Sequence, residues 1–302
     1  MERKVELLLA ACFVLLITAS AQTADTDSLV RITMIQNSYA VPTPDGKSLV
    51  FHSNRSGNND IYLQDIQTGR AVQLTSHPEN DRTPSVSPDG KKIAFVSTRD
   101  GNYDVFVMSI DGKHQVNLTR DKDSKDIHPY WSPDGHSIIF NSTNKGDDYD
   151  IYTMRADGKD RQKVRIEVGE ATHAQFSPDG KKIAFRKFFK AADNSISSDI
   201  VIMDVNTKYE LRVTTKDTNV HPVWSVDGRY LIFTSNRDGA AEYDVSLYRY
   251  DIASKQITRV THHSAEFEDM TPAFSPDGKQ IYFSRWGFDG TIDLFAIDSD
   301  LE

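Results

Sequence analysis

Only one cysteine, Cys12, stands in the 302 residues. A lone thiol closes no internal disulfide and rules out a cysteine-built zinc module. Positive charge is also short: 35 Lys and Arg face 44 Asp and Glu, a net charge of −9. Sequence-independent nucleic-acid binding needs a basic face, and a polybasic membrane surface needs a basic cluster. Neither is expected. Beyond residue 17 no apolar run is long enough to span a bilayer. No Gly-x-Ser-x-Gly elbow, phosphate-cradling glycine loop or His-Glu-x-x-His helix occurs. What is present is 38% hydrophobic and 10% aromatic, too apolar for a disordered chain. Fifteen Phe, twelve Tyr, sixteen Gly and eleven Pro point to strands and tight turns.

Residues 1–21 read as an export signal rather than as fold. A short charged start with Arg3 and Lys4 precedes the apolar run 7–17, and Ala19-Ser20-Ala21 supplies the small-x-small pattern that a signal peptidase accepts. Cleavage is expected before Gln22, leaving a protein of the bacterial periplasm without a thiol. Leu9-Ala10-Ala11-Cys12 is also a lipoprotein box, a second reading that would leave a lipid on Cys12.

A repeat governs the rest, residues 22–302. Pro-Asp-Gly occurs at 44–46, 88–90, 133–135, 178–180 and 276–278, with Val226-Asp227-Gly228 as a degenerate copy. The six glycines lie 44, 45, 45, 48 and 50 residues apart. That period marks a propeller or a solenoid. Each copy carries four short strand patterns, illustrated by KIAFVS at 92–97, DVFVMSI at 104–110 and QVNLT at 115–119. Four strands with turns between them form an antiparallel meander, the blade of a propeller. The last copy runs out after its third strand, and Val30-Arg31-Ile32-Thr33 matches the missing fourth. This complementarity predicts a ring closed by the N-terminal strand, whereas a solenoid would carry capping repeats. The expectation is an all-β, six-bladed propeller of four-stranded antiparallel blades.

The SPDGKKIAF and SPDGKQIYF runs, the loops SNRSGNNDIY, STRDGNYDVF and SNRDGAAEYDVSLY, and the HPYWSPDG entry to a blade resemble the TolB-type propeller repeat. The resemblance covers nearly all of the chain after the signal. It implies a six-bladed propeller exported to the periplasm, in a family whose name-giving member binds proteins of the Tol–Pal envelope system, including the Pal lipoprotein. That protein also has an α/β domain before its propeller. Here only about a dozen residues separate the expected cleavage site from the first expected strand, so the resemblance speaks for fold and compartment more than for a Tol–Pal role.

Loop lengths suggest where function sits. The Pro-Asp-Gly turns are nearly uniform, whereas the loops between strands two and three, on the opposite face, vary; variable loops on a rigid scaffold collect binding residues. On that face, the first residue expected for each inner strand is Tyr39, Thr83, His128, His173, His221 and Thr271. Two positions earlier stand Asn37, Asp81, Asp126, Ala171, Asn219 and Asp269. The histidines read either as repeat chemistry that closes blade-to-blade hydrogen bonds or as ligand or metal contacts. Arg285 belongs to a row of arginines after strand two, with Arg55, Arg99 and Arg237. Trp286 breaks the polar pattern of its loop, and Phe188 and Phe189 lie in the longest loop, 187–198. The candidate binding residues are therefore His128, His173, His221, Asp126, Arg285 and Trp286. The six aspartates that open strand three read as turn or capping groups, and His262-His263 as a solvated doublet.

Three readings follow. The leading one is a monomeric, non-enzymatic binding platform without a cofactor, docking a protein partner of the cell envelope on the loop face. The alternative is a metal-dependent carbohydrate-active enzyme of the oligogalacturonate-lyase type, also a propeller, with a divalent metal held by the histidine row. A detached structural or signalling domain is the third.

Overall fold

The computed structural model describes residues 30–32, 36–143, 146, 148–164, 170–190, 196–238, 244–263 and 266–299. The expected signal peptide and Cys12 lie outside them. Twenty-four strands form six four-stranded antiparallel sheets, and no helix occurs among the described residues. The inner strands are Asn37–Pro42, Asp81–Val86, Asp126–Trp131, Ala171–Phe176, Asn219–Trp224 and Phe267–Phe274. Within each blade the chain meanders outward from one of these.

The turn after each inner strand follows from its three residues. In all six, the preceding Ser or Thr hydroxyl donates to the aspartate, from Thr43 to Asp45 at 2.6 Å through Ser275 to Asp277 at 2.6 Å. The same carboxylates accept a backbone N–H two residues on, which holds them below the usual carboxylate range. Glycine completes the reversal at φ +69° to +73°, where a side chain would be strained.

Blades cohere through six apolar clusters, one at each junction. Ile93, Phe95 and Met108 of blade two meet Val50 and Ile61 of blade one. Tyr282, Leu294 and Ala296 of blade six meet Ala40, Leu49 and Phe51 of blade one, so packing runs all the way round. Trp131 and Trp224 fill two of these junctions, with Phe176 and Phe274 packed against two others, as their positions in the repeat suggested. The strand-three aspartates tie strand four to strand three: Thr75, Thr119 and Thr214 donate to Asp60, Asp104 and Asp199 at 3.0–3.3 Å.

At the N-terminus, Val30 and Arg31 pair antiparallel with Ala296 and Phe295, and Arg31 forms an ion pair with Asp293. Deleting residues 22–34 is expected to expose that edge and lower Tm by about 5 °C, the effect of roughly 1–2 kcal/mol in a chain of this size. An unchanged melting curve would show that the edge strand contributes nothing.

Two features differ from the sequence reading. Segment 187–198 is mostly not loop: strands Lys182–Lys190 and Ile196–Asp204 pair out to Lys190 opposite Ile196, forming a tall hairpin. Likewise Trp286 lies within the strand Gln280–Gly287, opposite Ile292, rather than in a loop. In both places the alternation of side chains carries pairing beyond the length of the other blades.

Candidate functional site

Pairing of five inner strands begins two residues earlier than the sequence suggested, at Asn37, Asp81, Asp126, Ala171 and Asn219, and that of the sixth begins four residues earlier, at Phe267. Tyr39, Thr83, His128, His173 and His221 are therefore third residues and Thr271 is a fifth, and all six take φ between +49° and +56°. Each sits in a register shift, as between Ile127 and Tyr130 or between Thr172 and Gln175. A bulge of this kind re-aims one side chain out of the pleat. Left-handed backbone costs a non-glycine residue about 1–2 kcal/mol, and here it recurs in every blade. The result is a layer of side chains that converges at the waist of the channel.

The waist is tightly filled. The His128 and His173 ring centroids are 3.9 Å apart and those of His173 and His221 4.5 Å, the latter edge to face. Tyr39 Oη lies 3.0 Å from His221 Nε2, and the Tyr39 ring is 5.5 Å from that of His52. Burial holds His128 down at about 4 and His221 and His52 at about 3, and it holds His173 well below the ordinary imidazole value. The charge of Arg186 adds to the effect at His128, His173 and His221, and that of Arg82 at His52. All four imidazoles are neutral at pH 7. His173 is fixed from two sides, by Asn141 Oδ1 on its backbone N–H at 2.9 Å and by Thr172 Oγ1 beside Nδ1 at 3.0 Å. The Nδ1 atoms of His128 and His221 are buried without a hydrogen-bond partner.

Among the described residues no three His, Cys, Asp or Glu side chains are placed to share an ion. Tyr39 engages His221 Nε2 and Thr172 engages His173 Nδ1, while Nδ1 of His128 and of His221 stays unpartnered.

The remaining sequence candidates lie apart from the waist. Asp126 is fully buried and receives Arg161 at 3.1 and 3.3 Å and Ser124 at 3.3 Å. Arg285 grips Asp269 through two hydrogen bonds of 2.6 and 2.8 Å and lies over Phe267, Phe283 and Phe295. Both are part of a device found in most blades: Arg99 pairs with Asp81 at 2.7 Å, Arg55 with Asn37 at 2.6 Å, and Arg237 approaches Asn219 at 3.4 Å. In blade four alanine stands at the inner position, and Lys187, opposite it, turns to Glu210 at 2.6 Å instead. Trp286 is half-buried with its indole N–H lacking an acceptor, and Phe288 is 60% exposed beyond it. Phe188 lies under Arg186, while Phe189 packs against the cluster between blades three and four. His263 is buried, 2.9 Å from the Val245 carbonyl and 3.6 Å from Asp269, so only His262 of the doublet is solvated.

A cavity of about 350 Å³ opens on the Pro-Asp-Gly face, the side that sequence reasoning treated as inert. Its floor includes Tyr39, His221 and Thr271. Tyr130, Trp131, Trp224 and Phe274 form its walls, and Pro44, Pro88, Pro133, Pro276 and Val226 its lip. Trp131 donates its indole N–H to the Ser85 carbonyl at 3.1 Å, whereas the buried Trp224 N–H finds no acceptor among the described residues. The sequence held one signal for this funnel, the aromatic that ends most inner strands, but it reads equally as core.

Six four-stranded blades around a filled waist define a six-bladed β-propeller of the TolB type. The chain belongs to the family of the Tricorn protease N-terminal β-propeller domain, whose model matches residues 59–269. The Tol-Pal system protein TolB of Francisella tularensis is 33% identical over 86 residues, which is 28% of this chain and 18% of that protein. This chain therefore matches under a fifth of the length of its curated relatives. Among solved structures, the putative TolB from Agrobacterium tumefaciens superposes with a TM-score of 0.69 at 23% identity, over 80% of this chain and 85% of that one. An oligogalacturonate lyase in complex with manganese superposes at 0.61 and 17% identity, over 92% and 95%. At these identities the structural likeness concerns the fold alone.

Proposed function

We propose that the chain is an exported, non-enzymatic binding platform of the cell envelope that receives a protein partner in the funnel on its Pro-Asp-Gly face. Likeness to TolB, a Tol-Pal system protein, supports an envelope partner and a periplasmic site of action. The observation that carries the docking site is the funnel, a concave surface with aromatic walls, a proline lip and one unused indole donor. Apolar concavities with a few directed polar groups are where partners and ligands anchor, and buried aromatic anchors dominate interface energetics. The manganese-bound lyase shares the fold, and among the described residues here the waist histidines pack ring against ring.

The test contrasts the two faces. Val226, 49% exposed at the funnel lip, tolerates substitution without loss of core. Val226→Asp places a charge at the apolar mouth and is expected to reduce capture of an envelope protein from periplasmic extract at least tenfold. Trp286→Ala and Phe288→Ala, on the loop face, are expected to leave capture unchanged. If the loop-face variants lose the partner and Val226→Asp keeps it, docking belongs to the other mouth.

A further inference from the structure

Arg186 is out of step with its own repeat. Its position, opposite the residue just before the left-handed one of the inner strand, holds His52, Val96, Asn141, Thr234 and Ser284 in the other blades. All five are uncharged at pH 7. Arg186 alone carries a charge there, and that charge bears on Tyr39, His128, His173 and His221. Yet among the described residues its Nε has no hydrogen-bond acceptor, and the guanidinium lies over the Phe188 ring, 4.1 Å from the centroid, without an ion pair. Glu170 acts on it through space only. Desolvation pushes its pKa down to about 10.

Five other arginines, Arg99, Arg161, Arg212, Arg259 and Arg285, each meet an aspartate. Withdrawing a cation even partly from water without an ion-pair partner is unfavourable, so a guanidinium of this kind is expected where an anion arrives from outside. Arg186 does not line the funnel. It lies on the loop-face side of the histidine layer, towards the tall hairpin of blade four. Two ring nitrogens of imidazoles that feel its charge have unused hydrogen-bonding capacity: His128 Nδ1 and His221 Nδ1 are buried and unpartnered, and His221 is 8% exposed. Arg82, bonded to Asn80 Oδ1 at 3.2 Å rather than to a carboxylate, adds a second positive charge acting on Tyr39 and His52.

We propose that the loop-face side of the channel waist is a carboxylate-binding site in which Arg186 anchors the anion and the unpartnered Nδ1 atoms of His128 and His221 flank it. A planar, two-donor guanidinium matches the two oxygens of a carboxylate, which distinguishes it from a simple point charge. The site meets the funnel at His221, but its anchor Arg186 does not line the funnel, so the proposal does not require a protein to dock there.

NMR titration of the histidine ring protons in purified protein tests the assignment. The probes are glutarate, as a free small carboxylate, and the capped peptide acetyl-Gly-Asp-Gly-amide, as a polypeptide carboxylate, with sulfate as the control anion. Saturable shifts of the His128 and His221 signals are expected with at least one carboxylate and not with sulfate, and the probe that binds more tightly identifies the source. Arg186→Met should weaken that binding more than tenfold while Tm stays level or rises, because an unpaired, partly buried charge is removed. Arg186→Lys should retain only part of it. Equal shifts with sulfate, no saturable shift with either carboxylate, or undiminished binding by Arg186→Met would each overturn the proposal. A large drop in Tm for Arg186→Met with unaltered binding would make Arg186 a structural residue.

Discussion

Lowering the pH from 7.5 to 5.5 is expected to destabilise the protein strongly, with uptake of up to four protons on unfolding. The sign follows from the waist. His52, His128, His173 and His221 are held below the ordinary imidazole value in the folded state by burial first, with nearby positive charge second. The unfolded chain therefore binds protons near pH 6.5 that, in the native chain, His52, His128 and His221 refuse until about 3 to 4 and His173 until well below the ordinary imidazole value. Stability is complete above that unfolded value and falls as pH drops through it. One such imidazole lowers stability by about 1.4 kcal/mol at pH 5.5, and four by up to about 6 kcal/mol, a large share of the roughly 5–15 kcal/mol of a typical fold. Carboxylates raised by burial, among them Glu170 and Asp126, act in the opposite sense, because the native state binds their protons more tightly. Their window lies at lower pH. Urea titrations at pH 7.5, 6.5 and 5.5 check the slope, and His221→Gln should remove about one proton from it. A stability that does not vary with pH over this range would show that the waist is open to water and its imidazoles ordinary.

The glycine spacing, the Pro-Asp-Gly turns and the strand-three aspartates were legible because each is a local rule repeated six times. A turn of that composition has few alternatives, and six in register leave a propeller as the economical outcome. The waist was half legible. The row Tyr39, His128, His173 and His221 could be read as a row, but not its backbone. Positive φ at Tyr and Thr leaves no mark in composition, since these are not residues chosen for that conformation, and histidine, though enriched there, occurs far more often with ordinary backbone. The bulge arises because the inner strand must present side chains to a narrowing axis, a demand of the assembled ring and not of any single segment. The funnel was illegible for the same reason. Trp131, Trp224 and Phe274 come from three blades, and the property that makes them walls belongs to the ring rather than to the strands. Arg186 was visible in KIAFRKFFK, but its significance lies in what is missing around it. Only the structure shows that every other arginine in a comparable setting has an acid or an amide within reach.

Replacing Asp269 by alanine is expected to cost about 3–5 kcal/mol, the penalty of leaving a buried partner charge uncompensated. Asp269 is fully buried, and both its oxygens are taken by Arg285, at 2.6 and 2.8 Å, with His263 Nε2 3.6 Å from one of them. Without the carboxylate, the Arg285 guanidinium would rest on three phenylalanine rings with no counter-charge, a contact worth far less than the pair. The repeat itself supplies the conservative control. Blades one and five have asparagine at this position, Asn37 and Asn219, facing Arg55 and Arg237. Asp269→Asn should therefore be tolerated better than alanine, at about 1–2 kcal/mol, since an amide oxygen still accepts from the guanidinium. The double variant Asp269→Ala/Arg285→Met should recover much of the loss, because removing both charges leaves nothing unpaired. Denaturant titration of the three variants decides between a structural and a surface role for Arg285. A cost below about 1 kcal/mol for Asp269→Ala would mean that the pair is solvated in the manner of surface ion pairs. Arg285 would then be available to a partner, as the sequence alone suggested. A cost in the full range fixes Arg285 as the clamp that holds the inner strand of the last blade against its second strand, and leaves recognition to the funnel and the waist.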